Sequence, residues 1–515
     1  MEVTCAIPKN FNLMAALDDY VDGFRIQVLM DMNKKAWFMA EHVKCFMREN
    51  IESTKWYGPD TIYAGDSVIV SMETVKNLRD KFLRPYILTE IENLVKRLED
   101  TVTDKSVITL PEHKETLSFK QVPFEYDFNV GARVRIFNPG NYTVNFIDMN
   151  TGYVFGNNVS KKPEDNEPME ISSPIKYFVP WRIEIRDAKG NILLEHEYNP
   201  VNKTIAVSLV SEAIGDTLSW VNGAVNFLAQ LNCGKKYLVS QCKGLNDMIR
   251  KNIPKDIIVV DSIKDLPDDI YATYYVGAFL TQHERARLLS INPRQVGLLN
   301  IPSFVFRPFP IASDNFRIRV NCERKTKEPY VCISTHGSSL GKNWNYPGGW
   351  HYLVKWLKDQ GYRVLHIDLE SVVAQDEYVL TQPNGVEDCT GSFSLETRAE
   401  QLKYADFFIG VSSGLSWLAD SVGTPVVLVS GLTQPFNEFY TPYRVINTCV
   451  CHGCYNDCSI EYNKFRFDWC PKHQYDSKKF ECTKAIQPAQ VINACAKLMD
   501  DYGLDPKNGV SRDIV

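Results

Sequence analysis

The chain has 515 residues, enough for about three domains of ordinary size. Its 44% apolar and 23% charged residues are those of a folded globular protein and exclude a disordered or fibrous chain. With 57 basic against 63 acidic residues the net charge is −6, which excludes a whole-protein electrostatic grip on nucleic acid or anionic lipid and leaves only local basic sites. The first residues carry no basic stretch followed by an apolar core, and no apolar run reaches the roughly 18 residues of a membrane span. The expectation is a soluble, cytoplasmic protein.

Residues 1–105 are expected to form a helical N-terminal extension. After Pro85, which suits a first helical turn, Ile87, Ile91, Leu94, Val95 and Leu98 form one stripe, and charged residues take the other faces. This stripe suits ordinary packing or a partner, and it carries no chemistry.

Between 118 and 200 the apolar period changes to two. Arg133–Asn138, Tyr142–Ile147 and Trp181–Arg186 alternate, and Asn138-Pro-Gly-Asn, Met149-Asn-Thr-Gly and Ala188-Lys-Gly-Asn supply turns. The pattern predicts a small antiparallel β domain.

From 204 onward short apolar strands alternate with helices, the form of βαβ units and a parallel sheet. The first series runs through Ile205–Val210, a helix over 216–231, Lys236–Ser240 and Asp256–Val260. The second runs through Tyr330–Ser334, a helix over 348–360, Arg363–Ile367, a helix over 394–405, Asp406–Gly410, a helix from 414 and Val426–Val429. The fold class is α/β, with Rossmann-like domains over 204–310 and 311–515 and a cleft between them. Ligands of such sheets bind outside the carboxyl ends of strands, so the loops there are the places to search.

Three loops stand out. In Ser211-Glu-Ala-Ile-Gly-Asp-Thr-Leu-Ser-Trp, Gly215 permits a tight turn and Asp216 falls near a helix N-terminus, as a general base or as a helix cap. In Thr335-His-Gly-Ser-Ser-Leu-Gly-Lys, small residues precede Lys342, which suits either phosphate or solvent. In Ile409-Gly-Val-Ser-Ser-Gly-Leu-Ser-Trp, Ser412, Ser413 and Gly414 open a helix whose free N–H groups suit a diphosphate, although a capped helix looks similar. Neither loop has the Walker A or Gly-x-Gly-x-x-Gly spacing, which counts against ATP hydrolysis and dinucleotide redox chemistry. Two anion loops facing a base point to an enzyme acting on a nucleotide-linked substrate.

Seven of the 14 cysteines, Cys449, Cys451, Cys454, Cys458, Cys470, Cys482 and Cys495, lie near the end of the chain. Cys451 and Cys454 form a C-x2-C knuckle, with Cys470 after 15 intervening residues and Cys482 after 11 more. Four thiolates from separate turns suit one closed, tetrahedral structural site for iron or zinc within the loop 449–482. Cys449, Cys458, His452 and His473 compete as ligands. A nucleic-acid-binding finger is disfavoured by the net acidity and by the lack of a basic helix between the cysteine pairs.

These segments resemble the bacterial autotransporter O-heptosyltransferases, relatives of the lipopolysaccharide heptosyltransferases with a GT-B fold. The resemblance covers roughly residues 130–495. It is carried by Glu212-Ala-Ile-Gly-Asp-Thr-Leu-Ser-Trp, Gly341-Lys-Asn-Trp-Asn-Tyr-Pro-Gly-Gly-Trp, Ser413-Gly-Leu-Ser-Trp-Leu-Ala, Asn437-Glu-Phe-Tyr-Thr-Pro-Tyr-Arg-Val-Ile-Asn and Cys451-His-Gly-Cys-Tyr-Asn-Asp. It implies inverting transfer of heptose from ADP-heptose to a serine or threonine hydroxyl of an acceptor protein, by a homo-oligomer. It further implies that Asp216 is the base, that Lys342 neutralises the departing diphosphate, and that Gly215, Thr217, Ser338, Ser412, Ser413, Gly414 and Leu415 contact the donor. Cys451, Cys454, Cys470 and Cys482 would hold the family's single iron ion. Another nucleotide sugar, a glycan acceptor, or a catalytically inert sugar-nucleotide-binding scaffold are the alternatives.

Overall fold

The computed structural model describes residues 2–6, 67–71, 123–277 and 297–512, except 166, 176, 376, 461, 462, 464 and 465. The chain divides into two compact units, Met1–Phe119 with Asn463–Phe465, and Lys120–Tyr462 with Arg466–Val515. In the first, the described residues are β1 (Glu2–Ala6) and β2 (Ser67–Ser71), paired antiparallel with Glu2 opposite Ser71. At these positions the chain is extended where the sequence predicts helix, and Val68-Ile-Val is the kind of β-branched run that favours a strand. The stripe from Ile87 to Leu98 lies outside the described residues.

In the second unit seven strands precede residue 200: β3 (Phe124–Asn129), β4 (Arg133–Ile136), β5 (Gly140–Asp148), β6 (Val154–Lys161), β7 (Met169–Ser172), β8 (Trp181–Asp187) and β9 (Ile192–Glu197). They do not form one domain. Strands β6, β5, β8 and β9 make a four-stranded antiparallel sheet in that order, whose alternate residues Val144, Phe146, Ile183 and Ile185 are buried. Gly152 and Gly190 sit at φ +72° and +85° in its turns, a conformation that favours glycine.

Strands β3, β4 and β7 instead complete the next sheet. That sheet contains β10 (Thr204–Leu209), β11 (Lys235–Ser240), β12 (Ile257–Val260) and β13 (Ile270–Val276), alternating with α1 (Ile214–Gln230) and α2 (Lys243–Asn252). Its order is β12-β11-β10-β13-β3-β4-β7, parallel as far as β3 and antiparallel beyond. Phe128 lies opposite Ala272 and Asn129 opposite Thr273. The expected domain border near 200 therefore cuts through a sheet, because period-2 patterning identifies strands and not their partners. All six residues of β10 are buried, as in a central parallel strand covered on both faces.

The second parallel sheet has the order β18-β15-β14-β19-β20-β21. Its strands are β14 (Tyr330–Ile333), β15 (Arg363–His366), β18 (Glu387–Asp388), β19 (Phe408–Val411), β20 (Val426–Val429) and β21 (Arg444–Val445). A separate hairpin, β16 (Val372–Gln375) with β17 (Tyr378–Thr381), stands between β15 and β18 in the chain. The helices are α3 (Gly349–Gln360), α4 (Leu395–Lys403), α5 (Gly414–Ser421) and α6 (Pro488–Tyr502). The two-residue strands β18 and β21 leave no periodic signal, so the sequence reading misses them. No described helix is long and apolar enough to cross a membrane.

The two halves meet through their first helical turns. A Cβ on Gly215 would lie 2.8 Å from Trp417 Cδ1, and one on Gly414 would lie 2.9 Å from Ile214 Cβ. Only glycine permits α1 and α5 to approach so closely. The linker is stitched to both halves, since the Phe316 N–H donates to Leu218 O at 3.4 Å and the Ile318 N–H to Ser421 O at 2.9 Å. The crossing therefore sets the positive ends of two helices side by side at the carboxyl edges of two sheets.

Candidate active site

Asp216 occupies the first turn of α1, three residues after the cap, Ala213, which makes no side-chain capping bond. The helix-cap reading of Asp216 is thereby excluded. Its carboxylate accepts from Ser211 Oγ at 2.8 Å, and Ser211 Oγ in turn accepts from the Ala213 N–H at 3.1 Å. Burial raises the Asp216 carboxyl above the usual range, against the Ser211 hydrogen bond and the positive charge of Lys342.

Lys342 comes from the other half. Its loop leaves β14 and turns back on itself: the Gly337 N–H donates to Asn343 Oδ1 at 2.7 Å, and Lys342 Nζ to Ser338 Oγ at 3.0 Å. Gly337 is required there, because a Cβ would meet Lys342 Cβ at 2.9 Å. Burial lowers the Lys342 ammonium below its ordinary value, while the carboxylates of Asp216 and Glu438 hold it up. The structure thus brings Asp216 and Lys342 within electrostatic reach of each other from opposite halves.

The start of the Lys342 loop is pinned by Asp368, at the carboxyl end of β15, which the sequence reading overlooks. Its oxygens accept from Ser334 Oγ at 2.5 Å, the Thr335 N–H at 2.7 Å, the His336 N–H at 3.2 Å and His366 Nε2 at 2.8 Å. Burial opposes the charge, yet the His366 hydrogen bond and the other donors hold this carboxyl below the usual range. An acid directly after a parallel strand was the available signal.

At the head of α5, Ser413 is the cap residue, and its Oγ is buried with no hydrogen-bond partner. The first N–H groups of a helix have no intrahelical acceptor, so Ser413, Gly414 and Leu415 together present donors to an anion. Ser412 does not join them. Its Oγ is buried, 2.8 Å from Thr433 Oγ1 and 2.5 Å from Glu438 Oε1, to which it donates. Thr217 is less open: its N–H donates to Ala213 O, and its hydroxyl, which has no hydrogen-bond partner, is fully buried beside the Cys242 thiol. Gly215 faces Trp417 and serves the helix crossing.

Glu438 is the second overlooked carboxylate. It pairs with Arg444 at 2.8 Å, and both side chains are nearly inaccessible. The Asn437-Glu-Phe block marked its importance without showing a role, since its partner Ser412 lies 26 residues away in the chain.

The cysteines separate into two groups. Burial and the neighbouring thiols push Cys454 up to about 12, with Cys451 and Cys470 contributing, and Cys482 up to about 12, with Cys470, Cys454 and Cys451 contributing. These four share one neighbourhood. Of the competitors, Cys449 is exposed, Cys458 Sγ lies 3.8 Å from Asn456 O, His452 Nδ1 lies 2.8 Å from Val450 O, and His473 pairs with Asp476 at 2.9 Å. Negative charge on neighbouring sulfurs disfavours the thiolates of Cys454 and Cys482, and a bound cation would relieve that repulsion, so the donor chemistry of the four suits a soft metal ion. The loop also props the Lys342 turn: the Leu340 N–H donates to Phe467 O at 2.9 Å and Asn345 Nδ2 to Thr483 Oγ1 at 2.8 Å.

Comparison with known proteins shows the family. Residues 309–465 match the profile of glycosyltransferase family 9 (heptosyltransferase). The autotransporter heptosyltransferase BAHTCr of Citrobacter rodentium is 35% identical over 374 residues, 72% of this chain and 88% of that protein. BimC of Burkholderia thailandensis, described as an inactive autotransporter heptosyltransferase, is 33% identical over 371 residues, 71% of this chain and 84% of its own. The crystal structure of TibC, an iron-containing dodecameric glycosyltransferase of enterotoxigenic Escherichia coli H10407, superposes with a TM-score of 0.67 at 32% identity, covering 76% of this chain and 99% of TibC. A second TibC structure, in complex with ADP-D-beta-D-heptose, gives 0.66 at 31% identity, covering 75% and 100%. The chain is a GT-B glycosyltransferase and belongs to the autotransporter heptosyltransferases of glycosyltransferase family 9.

Proposed function

We propose that the protein transfers heptose from ADP-heptose to a serine or threonine hydroxyl of an acceptor protein, in one inverting displacement. The observation that carries this reading is that Asp216, from the first half, lies within electrostatic reach of Lys342, from the second, where the head of α5 crosses the first turn of α1. The 204–310 half takes the acceptor and the 311–515 half the donor. Asp216 accepts the proton of the attacking hydroxyl as its oxygen bonds to the anomeric carbon. The bond from that carbon to the diphosphate breaks on the opposite face, and its electron pair leaves with ADP. Lys342 and the donors of Ser413, Gly414 and Leu415 neutralise the departing charge, and Ser338 holds the Lys342 ammonium in place.

ADP-heptose as donor is supported by the TibC complex, and a protein acceptor by the names of the relatives. Cys451, Cys454, Cys470 and Cys482 would hold one iron ion, as TibC is described as containing iron; zinc suits the same thiolates, and elemental analysis of purified protein decides between them. When bound by these four cysteines, a metal would supply folding energy to their loop. A homo-oligomer is the expected assembly, by analogy with dodecameric TibC, and light scattering would count its subunits.

Intact mass of a co-expressed autotransporter passenger tests the reading: one heptose per modified hydroxyl is expected. The variant Asp216→Asn should slow transfer by about 10²–10⁴-fold. Transfer at the unaltered rate would remove Asp216 from the mechanism. BimC supports a second reading, an inert sugar-nucleotide-binding scaffold, which predicts ADP binding without transfer to any acceptor.

A further inference from the structure

Glu438 stands between the two anion loops and leads out of the site. One of its oxygens takes the Ser412 hydroxyl, whose residue immediately precedes the head of α5, and the other takes Arg444. Its charge also supports the Lys342 ammonium, so it lies within electrostatic reach of both loops. Arg444 further donates to Ser430 Oγ at 3.1 Å, at the carboxyl end of β20. The pair is thus a fixed post against which the Val411–Gly414 turn is set.

Behind that post is the cysteine loop. Asn437 Nδ2 donates to Glu438 Oε1 at 3.4 Å, and Asn437 Oδ1 accepts from Asn456 Nδ2 at 2.9 Å. Asn456 Oδ1 accepts from the Gln434 N–H at 2.8 Å. The backbone is joined alongside, the Gly453 N–H donating to Gly431 O at 2.8 Å and the Tyr455 N–H to Leu432 O at 3.0 Å. Gly453 sits at φ +71°, and a Cβ on it would come 2.1 Å from Gln434 Nε2, so the turn between Cys451 and Cys454 is built to lie flat on this segment. A buried ion pair needed only for stability would not require a chain of side-chain amides joining the cysteine turn to the serine that precedes the anion-binding helix.

We infer that Asn456, Asn437 and Glu438 are positioning residues that carry the order of the cysteine loop to Ser412 and so to the head of α5, setting affinity for the nucleoside diphosphate without touching it. The inference rests on the reading of α5 as the diphosphate site.

The test titrates ADP into the full-length, metal-loaded chain by calorimetry, for the parent protein and for Ser412→Ala, Glu438→Gln and Asn456→Ala. Metal content and near-ultraviolet circular dichroism are recorded for each. Ser412→Ala and Glu438→Gln should each raise the ADP Kd by about fivefold or more, and the double variant should be little worse than either. Asn456→Ala should raise it by about threefold or more with metal content unchanged. In turnover, the donor KM should rise with the Kd while the acceptor KM stays put. If Glu438→Gln fails to fold, the other two variants decide. Folded, metal-loaded Ser412→Ala and Asn456→Ala that bind ADP within about twofold of the parent overturn the inference alone. A parent protein that neither binds ADP nor transfers sugar overturns the functional reading with it.

Discussion

Asp216 and Lys342 are displaced by burial in opposite directions, the carboxyl upward and the ammonium downward. In the proposed mechanism Asp216 acts as a base only when ionised, so kcat/KM should rise with pH through a value above the ordinary carboxyl range. In the same mechanism Lys342 would act only when protonated, so the rate should fall again below the ordinary lysine range. The profile is therefore a bell narrowed from both sides. Lys342→Arg keeps the charge but does not titrate here, and it should move the alkaline limb to higher pH even though the maximum drops. An alkaline limb that stays in place would assign it to another group. Asp216 could be singled out in the sequence as a candidate because it follows a strand at a helix start, and the structure places it in the first turn of α1. Glu438 and Asp368 were not, because each acquires its role from partners in distant segments, Ser412 in one case and Ser334 with Thr335 in the other.

Among the elements, the helices α1 and α5 show how two glycines govern a site. Gly414→Val would drive a branched side chain into Ile214, whose Cβ lies only 2.9 Å from an ideal Cβ at 414. The overpacking should cost about 1–3 kcal/mol, lower the melting temperature and depress ADP affinity, since the head of α5 must shift. A variant with the parent's melting temperature and ADP affinity would show that the crossing is looser than it looks. Most strands and helices of the two Rossmann-like halves were readable to within a few residues, because βαβ units announce themselves by alternating periods, whereas α2, β13, α6 and the short β18 and β21 were not. The mutual approach of α1 and α5 was not, because glycine in Gly215-Asp and Ser413-Gly reads equally well as turn chemistry.

For the whole molecule, the sheet order β12-β11-β10-β13-β3-β4-β7 makes the first Rossmann-like half depend on residues that precede it by more than sixty positions. A chain begun at Thr204 would leave the edge of β13 without β3, and exposed edges invite association. Sedimentation of cell lysates should find it less soluble than a chain begun at Lys120. Equal solubility would mean that β3 adds little. The expected division at about 200 failed here because strand partners are set by tertiary packing, whereas local pattern reports only the strand itself.

The same strand order carries a chronology. Asn129 and Thr273, whose side chains join β3 to β13 at 2.8 Å, are 144 residues apart in the chain. At ribosomal speeds β3 must wait about ten seconds or more after synthesis before its partner exists. Through that interval β3 has only β4 as a partner, β4 in turn pairing with β7, and the sheet that carries Asp216 at its edge is joined to them only when residue 273 arrives. The first Rossmann-like half is thus assembled from both ends of a long interval, and the pairing that joins them is among its contacts of highest sequence separation.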